Sequence, residues 1–323
     1  MIMTNSRAVM PRLAIVVVNW NTCEILADCL HRVRAAMQSA SLEVWVVDNA
    51  STDGSADMVA ALFPEFHLIR NSENVGFAAA NNQAFERIES ELVLLLNSDA
   101  LLLPGALENC IRYMAQHPAV GAMGCRVLNA DGTLQKSASL FPTVGRLLAK
   151  TLGVHRIPGL ERSFRYRSVC GDGTRELPVE VLSGCFLMTR KDVLREVGFL
   201  DERFFFFGEE TDWCLRCRQA GHELRYAPVA DVVHLGGASA TRLEARRDLL
   251  LTSSFIALHR KHFGRLSAAL VWITLLFFNA SRFVYWSIRN RVRPSQLAGA
   301  RSRLFRGVLF GFHRVWGTGA IAS

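Results

Sequence analysis

An unbroken apolar run, residues 92–96, ends abruptly at Asn97, Ser98 and Asp99. A run without polar alternation predicts a strand that is covered on both faces of its sheet. Asn97 and Asp99 are two residues apart and can project to the same side of the chain. Ligands of open α/β sheets bind beyond the carboxyl ends of the strands, so both side chains are candidate ligands. The same pattern is also typical of an ordinary helix cap or turn.

Strand-like and helix-like segments alternate on the way to this run. Residues 13–18 and 43–47 predict strands, and the apolar face of 23–37 predicts a helix between them. A third strand is predicted over 66–69, and a helix over 78–88 leads to the run at 92. Strand, helix and strand at this spacing form a βαβ unit, which indicates an α/β fold.

The pattern changes after Asp99. Residues 120–125 are strand-like, and so is 179–189, with an interruption at Ser183-Gly184-Cys185. Between them, 126–177 loosens into Gly, Pro and Arg and predicts a long excursion over the sheet.

Polar residues follow the predicted strands. Asp48 ends the second strand and is a candidate for binding. Gly76 suits either a positive φ or the close approach of a ligand. Asn82, with Asn81 beside it, is an unfavourable helix residue that faces either a ligand or solvent.

The densest polar chemistry lies at Glu209, Glu210 and Asp212, directly after four phenylalanines at 204–207. Acidic residues in a first helical turn are typical of a well-capped helix. The phenylalanines favour a second interpretation, in which the carboxylates line an apolar pocket that raises their pKa towards that of a general base. His234 ends a later predicted strand, where a lone histidine is more often structural than a ligand.

Charge is unevenly distributed along the chain. The net charge is +8, but residues 249–323 contain eleven Lys or Arg and no Asp or Glu, so the rest of the chain carries −3. The eight cysteines lack disulfide-scaffold spacing, and no segment resembles a signal peptide, which predicts reduced cytosolic thiols. Cys214 and Cys217 form a C-x-x-C with no second pair to complete a zinc site.

The basic C-terminal region predicts amphipathic helices. Residues 266–278 are too few to span a bilayer, which needs roughly twenty. A polar residue recurs every seventh position at Arg260, Ser267, Thr274 and Ser281, as in a helix that lies at a membrane interface or packs on another helix. Residues 301–316 mix arginine with aromatics, and in the absence of a nucleic-acid recognition fold an anionic membrane surface is the favoured partner.

In this order, these segments closely resemble the inverting glycosyltransferases of family 2, and bacterial rhamnosyltransferases most of all. The motifs that carry the resemblance, over about 14–237, are Val-Val-Asn-Trp-Asn, Val-Asp-Asn-Ala-Ser-Thr-Asp-Gly-Ser, Asn-Val-Gly-Phe-(x)4-Asn, Leu-Asn-Ser-Asp, Ser-Gly-Cys-Phe, Phe-Gly-Glu-Glu-Thr-Asp-Trp and Val-Val-His. The resemblance implies a GT-A fold, in which helices flank a Rossmann-like mixed sheet. It places the catalytic domain at 11–245 and a basic helical extension at 246–323.

The resemblance also implies residue roles. Those expected to bind the nucleotide sugar are Asn19, Asp48, Asn49, Asn74, Gly76, Asn82, Asn97 and Gly184. Asp99 and His234 would hold a divalent cation, Mg²⁺ or Mn²⁺. Asn97 stands where the family has the first Asp of its Asp-x-Asp motif, so we expect it to orient the donor. Glu210 stands where the family has its catalytic Asp, and Asp212 and Glu209 remain alternatives.

The implied activity is transfer of a deoxysugar from a nucleoside-diphosphate donor, with dTDP-rhamnose favoured. The expected acceptor is polyprenyl-diphosphate-linked or a glycan of the cell envelope, and the expected location is the cytoplasmic face of the inner membrane, as a peripheral protein that can oligomerise. The alternatives are a non-catalytic sugar-nucleotide or lipid-binding protein, and a nucleotidyltransferase. The lack of a Gly-rich, Lys-containing phosphate loop after the first strand disfavours the latter.

Overall fold

The computed structural model describes residues 12–36, 42–154, 157, 171–236 and 244–316. Cys170 and the segment 237–243, which adjoins the predicted domain boundary, lie outside these residues. The division of the chain at residue 245 therefore stays a prediction.

The first half of the chain alternates strands and helices as predicted. Strands β1 (Leu13–Asn19), β2 (Leu42–Asp48), β3 (His67–Arg70) and β4 (Leu92–Asn97) are joined by helices α1 (Cys23–Ala36), α2 (Ser55–Leu62) and α3 (Phe77–Phe85). The second half contains β5 (Ala100–Leu102), α4 (Ala106–Gln116), β6 (Val120–Leu128), β7 (Ala138–Ser139), α5 (Val144–Leu152), β8 (Leu177–Pro178), β9 (Val181–Leu182), β10 (Phe186–Arg190), α6 (Lys191–Val197), α7 (Glu209–Gln219) and β11 (Glu223–His234).

Helix α5 lies within the segment predicted as a loose excursion. The Thr143 hydroxyl caps its first turn by accepting a hydrogen bond from the Arg146 backbone N–H at 3.3 Å. The helix ends at Gly153, which has a φ of 77°. A Thr cap and a left-handed Gly are ordinary helix-end signals, so this part of the excursion was readable from the sequence.

The main sheet has the order β3-β2-β1-β4-β10-β6-β11-β5, and β8 pairs with β11 beside this path. β1 pairs in parallel with β2 and β4, and Asn19 lies opposite Asp48. β10 then runs antiparallel to β4, which makes the sheet mixed. Because the strands end level, their polar terminal residues meet at one edge of the sheet.

The strands are covered on both faces, as the apolar run at 92–96 predicts. Leu94 belongs to the core on one face of the sheet and Leu95 to the core on the other. Both side chains are almost completely buried. A strand that is buried on both faces of its sheet needs apolar residues at every position, which explains the lack of polar alternation.

The C-terminal region is helical, as predicted. Helix α8 (Glu244–Val292) is interrupted by a kink at Gly264, with φ 82° and ψ 178°, and is followed by α9 (Gln296–Gly311) and a 3-10 turn (Phe312–Trp316). Leu147 of α5 packs with Ile256, Val271 and Val308 in a separate apolar cluster. The C-terminal helices therefore lie against the α/β sheet domain through α5.

Candidate active site

The ends of β1 and β2 hold a buried polar pair. Asn19 Nδ2 donates to Asp48 Oδ2 at 3.0 Å and to the Ser51 hydroxyl at 3.1 Å. The Thr22 hydroxyl donates to Asn19 Oδ1 at 2.5 Å, and the Ser51 backbone N–H donates to Asp48 Oδ1 at 2.9 Å. The Asn19 amide thus donates to Asp48 directly and to Ser51, whose backbone N–H also binds Asp48, which makes Asn19 a support for that carboxylate.

The loop before α3 is tied to the same edge. Asn49 Nδ2 donates to the Gly76 carbonyl at 3.1 Å, and the Gly76 N–H donates to Asn74 Oδ1 at 3.0 Å. Gly76 has a φ of 86°, and a Cβ atom there would lie 2.6 Å from the Phe205 carbonyl oxygen. Gly76 therefore has both a positive φ and a close neighbour. That neighbour is the backbone that precedes the acidic cluster, where a ligand was one of the expected alternatives.

Asn82 is bound to the protein itself. Its Nδ2 donates to the Leu200 carbonyl and to Glu202 Oε1, both at 2.9 Å, and its Oδ1 accepts from the Leu200 N–H at 3.1 Å. The amide is therefore occupied in joining α3 to the segment before the acidic cluster, where it supports the site from a distance.

The end of β4 and the residues that follow it lie beside the end of β11. His234 Nε2 lies 3.0 Å from Asp99 Oδ1 and 3.3 Å from Asn97 Nδ2. Its other ring nitrogen, Nδ1, lies 2.6 Å from Gln135 Oε1. Gln135 Nε2 is a donor to Asn129 Oδ1 at 2.9 Å, which leaves its carbonyl oxygen to accept from His234.

This arrangement fits a divalent cation. With Nδ1 donating to Gln135, the Nε2 atom and the Asp99 carboxylate oxygen, 3.0 Å apart, are two potential ligand atoms for one cation. Two adjacent ligands of an octahedral ion, each at about 2.1 Å, are separated by about this distance. Within the described residues, no group of three or more His, Cys, Asp and Glu side chains is placed to hold a metal, so protein and substrate would share its coordination.

The acidic cluster begins α7. Glu209 is 5% exposed, and each of Glu209 and Glu210 has one buried carboxylate oxygen without a hydrogen-bond partner in the structure. Burial raises the pKa of both carboxyl groups, and repulsion from Glu210 adds to the rise at Glu209. A Cβ atom on Gly184 would lie 3.9 Å from the Glu210 Cβ, so Gly184 is a neighbour of Glu210.

The predicted apolar wall is present beside the acids. Phe204 is buried against Phe141 and Leu258. Phe206 packs edge-on against Phe77, with ring centroids 6.4 Å apart. Phenylalanine side chains therefore pack on the protein immediately before α7, where the two glutamates are buried.

Asp212 lies in a different environment from the two glutamates. It is fully buried, and Arg216 Nε lies 2.8 Å from its Oδ2. Lys261 Nζ at 2.6 Å and His262 Nε2 at 2.7 Å, both from α8, contact its Oδ1. A carboxylate held by these partners is suited to a structural role, so the alternative of Asp212 as the base is disfavoured and Glu210 and Glu209 remain.

Cys185 lies between the two halves of the site. Its carbonyl accepts from the Asn97 N–H at 3.1 Å. Burial raises the pKa of its thiol to about 11, and both Asp99 and Glu210 are near enough to add to the rise. Cys185 thus contacts the end of β4, and a Cβ atom on the neighbouring Gly184 would lie 3.9 Å from the Glu210 Cβ, so the end of β4 and the start of α7 lie in one region.

Sequence reasoning missed Gln135, Lys261 and His262. Gln135 lies in the segment that had no residue-level assignment, and the other two lie in the basic region, where their charge was assigned to the membrane. Cys214 and Cys217 are buried thiols, as predicted, and burial raises the pKa of Cys217 to about 12.

The sequence of residues 14–198 matches the family described as glycosyl transferase family 2. An N-acetylglucosaminyl-diphospho-decaprenol L-rhamnosyltransferase of Mycobacterium tuberculosis is 27% identical over 267 residues, which cover 75% of this chain and 84% of the relative. The low-salt glycan biosynthesis hexosyltransferase Agl10 of Haloferax volcanii is 24% identical, with 74% of this chain and 72% of the relative covered.

The fold matches solved glycosyltransferases. The mannosyltransferase PcManGT of Pyrobaculum calidifontis, solved in complex with GDP-Man and Mn²⁺, superimposes with a TM-score of 0.54 at 17% identity, covering 98% of this chain and 87% of that chain. The GT-A fold expected from the motifs, a mixed sheet flanked by helices, is confirmed. Since the family match spans more than half of the chain, this protein belongs to glycosyl transferase family 2.

Proposed function

We propose that the chain is a metal-dependent inverting glycosyltransferase, with Glu210 as the base and Asp99 and His234 as the cation ligands. The observation that carries this proposal is the position of Gly184 and Cys185: the Cys185 carbonyl accepts from the Asn97 N–H at 3.1 Å, and a Cβ atom on Gly184 would lie 3.9 Å from the Glu210 Cβ. A cation site and a desolvated carboxyl group in one region are the two groups that direct transfer from a sugar nucleotide requires.

Each half of the site has a defined task. Glu210 accepts the proton of the acceptor hydroxyl as that oxygen attacks the sugar, and its raised pKa improves it as a base. Asp48, fixed by Asn19, binds the nucleoside, and Asn97 orients the donor beside His234. When bound, the cation neutralises the charge of the departing diphosphate. The single displacement inverts the configuration of the sugar.

We further propose a deoxysugar such as rhamnose as the transferred group, dTDP-rhamnose as the favoured donor, and a polyprenyl-diphosphate-linked or glycan acceptor. The rhamnosyltransferase of Mycobacterium tuberculosis, whose name specifies a decaprenol-linked acceptor, supports this choice. The manganese ion bound by PcManGT supports Mn²⁺ or Mg²⁺ as the cation.

The test is transfer from radiolabelled nucleotide sugars in the presence of Mn²⁺, with the wild type and Glu210→Gln compared. We expect Glu210→Gln to lose about 10²-fold or more in kcat, while binding of the donor, measured as a rise in Tm, is kept. Asp99→Ala should lose transfer and also the Mn²⁺-dependent part of that Tm rise. A fully active Glu210→Gln protein would rule out Glu210 as the base. Donor binding with neither transfer to any acceptor nor hydrolysis of the donor would instead favour a binding protein.

A further inference from the structure

The second half of α8, residues 265–292, turns large apolar side chains outward. We call this set the outer stripe: Leu266, Leu270, Ile273, Phe277, Val284 and Ile288. All are exposed, Leu266 by 76%. They follow one another at three, four or seven residues, which places them along one side of the helix.

The opposite side of the same helix packs on the protein. Ala268 and Val271 are completely buried and pack with Leu147 of α5 and Val308 of α9. The polar residues identified in the sequence also lie towards the protein, since Thr274 is buried and the Ser267 hydroxyl is 2.8 Å from His259 Nδ1. A helix on a water-exposed surface has the reverse arrangement.

Exposed cations flank the outer stripe. Arg265 precedes it, and Arg289, Arg291 and Arg293 lie at its far end. Arg289 and Arg293, with Tyr285, Ile288 and Val292, line a shallow groove there. No acidic residue occurs in 249–323 to offset this charge. An apolar strip ending in arginines and an aromatic residue complements a surface that is apolar inside and anionic at its boundary.

We propose that the outer stripe and its flanking arginines dock onto the surface of a bilayer that contains anionic headgroups, with this half of α8 parallel to the membrane plane. By length and composition, residues 245–292 could also cross a membrane. A crossing helix would lose the contacts along its inner side, where Ala268 and Val271 pack on α5 and α9 and Arg282 donates to the Thr151 carbonyl at 3.4 Å. Retention of these contacts favours the parallel orientation.

Docking in this orientation would bring the candidate site close to the membrane. His262 contacts the buried Asp212 of α7, and Leu266, the first residue of the outer stripe, follows four residues later. An acceptor carried by a membrane lipid would therefore be presented near the acids of α7. The docking surface itself rests on exposure and charge and does not depend on the proposed reaction.

The experiment is sedimentation of the full chain with phosphatidylcholine vesicles, with and without phosphatidylglycerol. We expect binding to the anionic vesicles that weakens as salt is added. The variant Ile273→Asn/Phe277→Asn should bind the vesicles roughly tenfold or more weakly, because the outer stripe loses two of the apolar side chains that would enter the membrane. Leu62→Asn is the matched control, since Leu62 is an exposed apolar residue on α2, 49% exposed against 56% for Ile273. It should bind like the wild type.

A second variant guards against misfolding. Arg291→Glu/Arg293→Glu changes two exposed side chains and should weaken binding to anionic vesicles while leaving the Tm unchanged. The proposal is overturned if both variants bind like the wild type, or if the wild type resists alkaline extraction from membranes as a spanning protein does. It is also overturned if the wild type binds no vesicles and Ile273→Asn/Phe277→Asn only converts a dimer into a monomer. Vesicle binding needs neither donor nor Mn²⁺, so its failure is distinguishable from failure of the proposed reaction.

Discussion

Lys261 Nζ lies 2.6 Å from Asp212 Oδ1 and joins the C-terminal helices to the helix that carries the candidate base. Asp212 is fully buried, and only one residue separates it from Glu210. The same lysine also contacts Asp201 at 2.6 Å. The start of α7 is therefore held from two sides, by its own Arg216 and by α8.

Replacing Asp212 by Ala should destabilise the protein strongly. Removal of this buried carboxylate takes away a partner that Arg216, Lys261 and His262 share, and breaking a buried ion pair costs about 3–5 kcal/mol. Lys261→Ala should cost less, because Arg216 and His262 still hold the carboxylate. Urea unfolding measures both effects. The control is Asp57→Ala, which breaks the exposed Arg70–Asp57 pair and should cost at most about 1 kcal/mol. Equal effects at Asp57 and Asp212 would contradict a structural role for the buried cluster.

Replacing Gln135 by Ala should weaken cation binding. Gln135 fixes the ring of His234 and keeps the proton on Nδ1, and loss of such a supporting contact typically costs about 10–100-fold in metal affinity. Titration of Mn²⁺ followed by electron paramagnetic resonance would measure the change without any turnover. Gln116→Ala, at an exposed position at the end of α4, should bind Mn²⁺ like the wild type. Unchanged affinity in the Gln135 variant would show that His234 does not bind the cation through Nε2.

Glu209 should make the protein less stable as the pH rises. Burial raises its pKa in the folded state above that in the unfolded chain, so unfolding releases a proton between the two values. Stability is therefore lost as the pH rises from about 4.3 towards the folded-state pKa. Glu209→Gln removes the ionisable group, and its Tm advantage over the wild type should grow with pH over this window. A constant difference in Tm across the window would contradict the raised pKa.

Gly76→Ala should disturb the segment that contains Phe205, directly before α7, whereas Gly54→Ala should not. The two glycines have nearly the same φ, but Gly54 has a ψ of 4°, in the left-handed helical region, whereas Gly76 has a ψ of 171°, in a region essentially restricted to glycine. Substitution at Gly54 therefore carries only the strain of a left-handed backbone, about 1–2 kcal/mol. A Cβ at Gly54 meets nothing within 4 Å, but at Gly76 it would lie 2.6 Å from the Phe205 carbonyl oxygen. We expect only Gly76→Ala to lower both kcat and the unfolding free energy beyond that strain. Equal losses of kcat and of unfolding free energy in the two variants would mean that the close approach of Gly76 to Phe205 does not matter for function.

The meeting of polar strand ends at one edge of the sheet could be predicted because these residues have local signals. Asn19, Asp48 and Asn97 each end an apolar strand, and parallel neighbouring strands bring such ends together. The helix position of Asn82 left a ligand and solvent equally open, and the family resemblance placed it near the donor; its partner Leu200 lies 118 residues away, where no local pattern indicates a contact.

Gln135 and His262, which support the site, could not be predicted because their partners are distant in the sequence. Gln135 is 99 residues from His234, and His262 is 50 residues from Asp212. A lysine and a histidine in a basic region give no sign that a buried carboxylate lies opposite. Likewise, the sequence showed a polar stripe on α8, but only packing determines which side of a helix meets the protein.

The sheet is assembled in space in a different order from that in which its strands are synthesised. β1, β2, β3 and β4 are consecutive in the chain and adjacent in the sheet, whereas Asn97 and His234 lie 137 residues apart. A growing chain that has reached Asp99 already carries Asn19 and Asp48, but the histidine arrives only with β11, the last strand of the described sheet. The pair of side chains that we propose as cation ligands is therefore completed late in biogenesis, after the strands that carry Asn19 and Asp48 have been made.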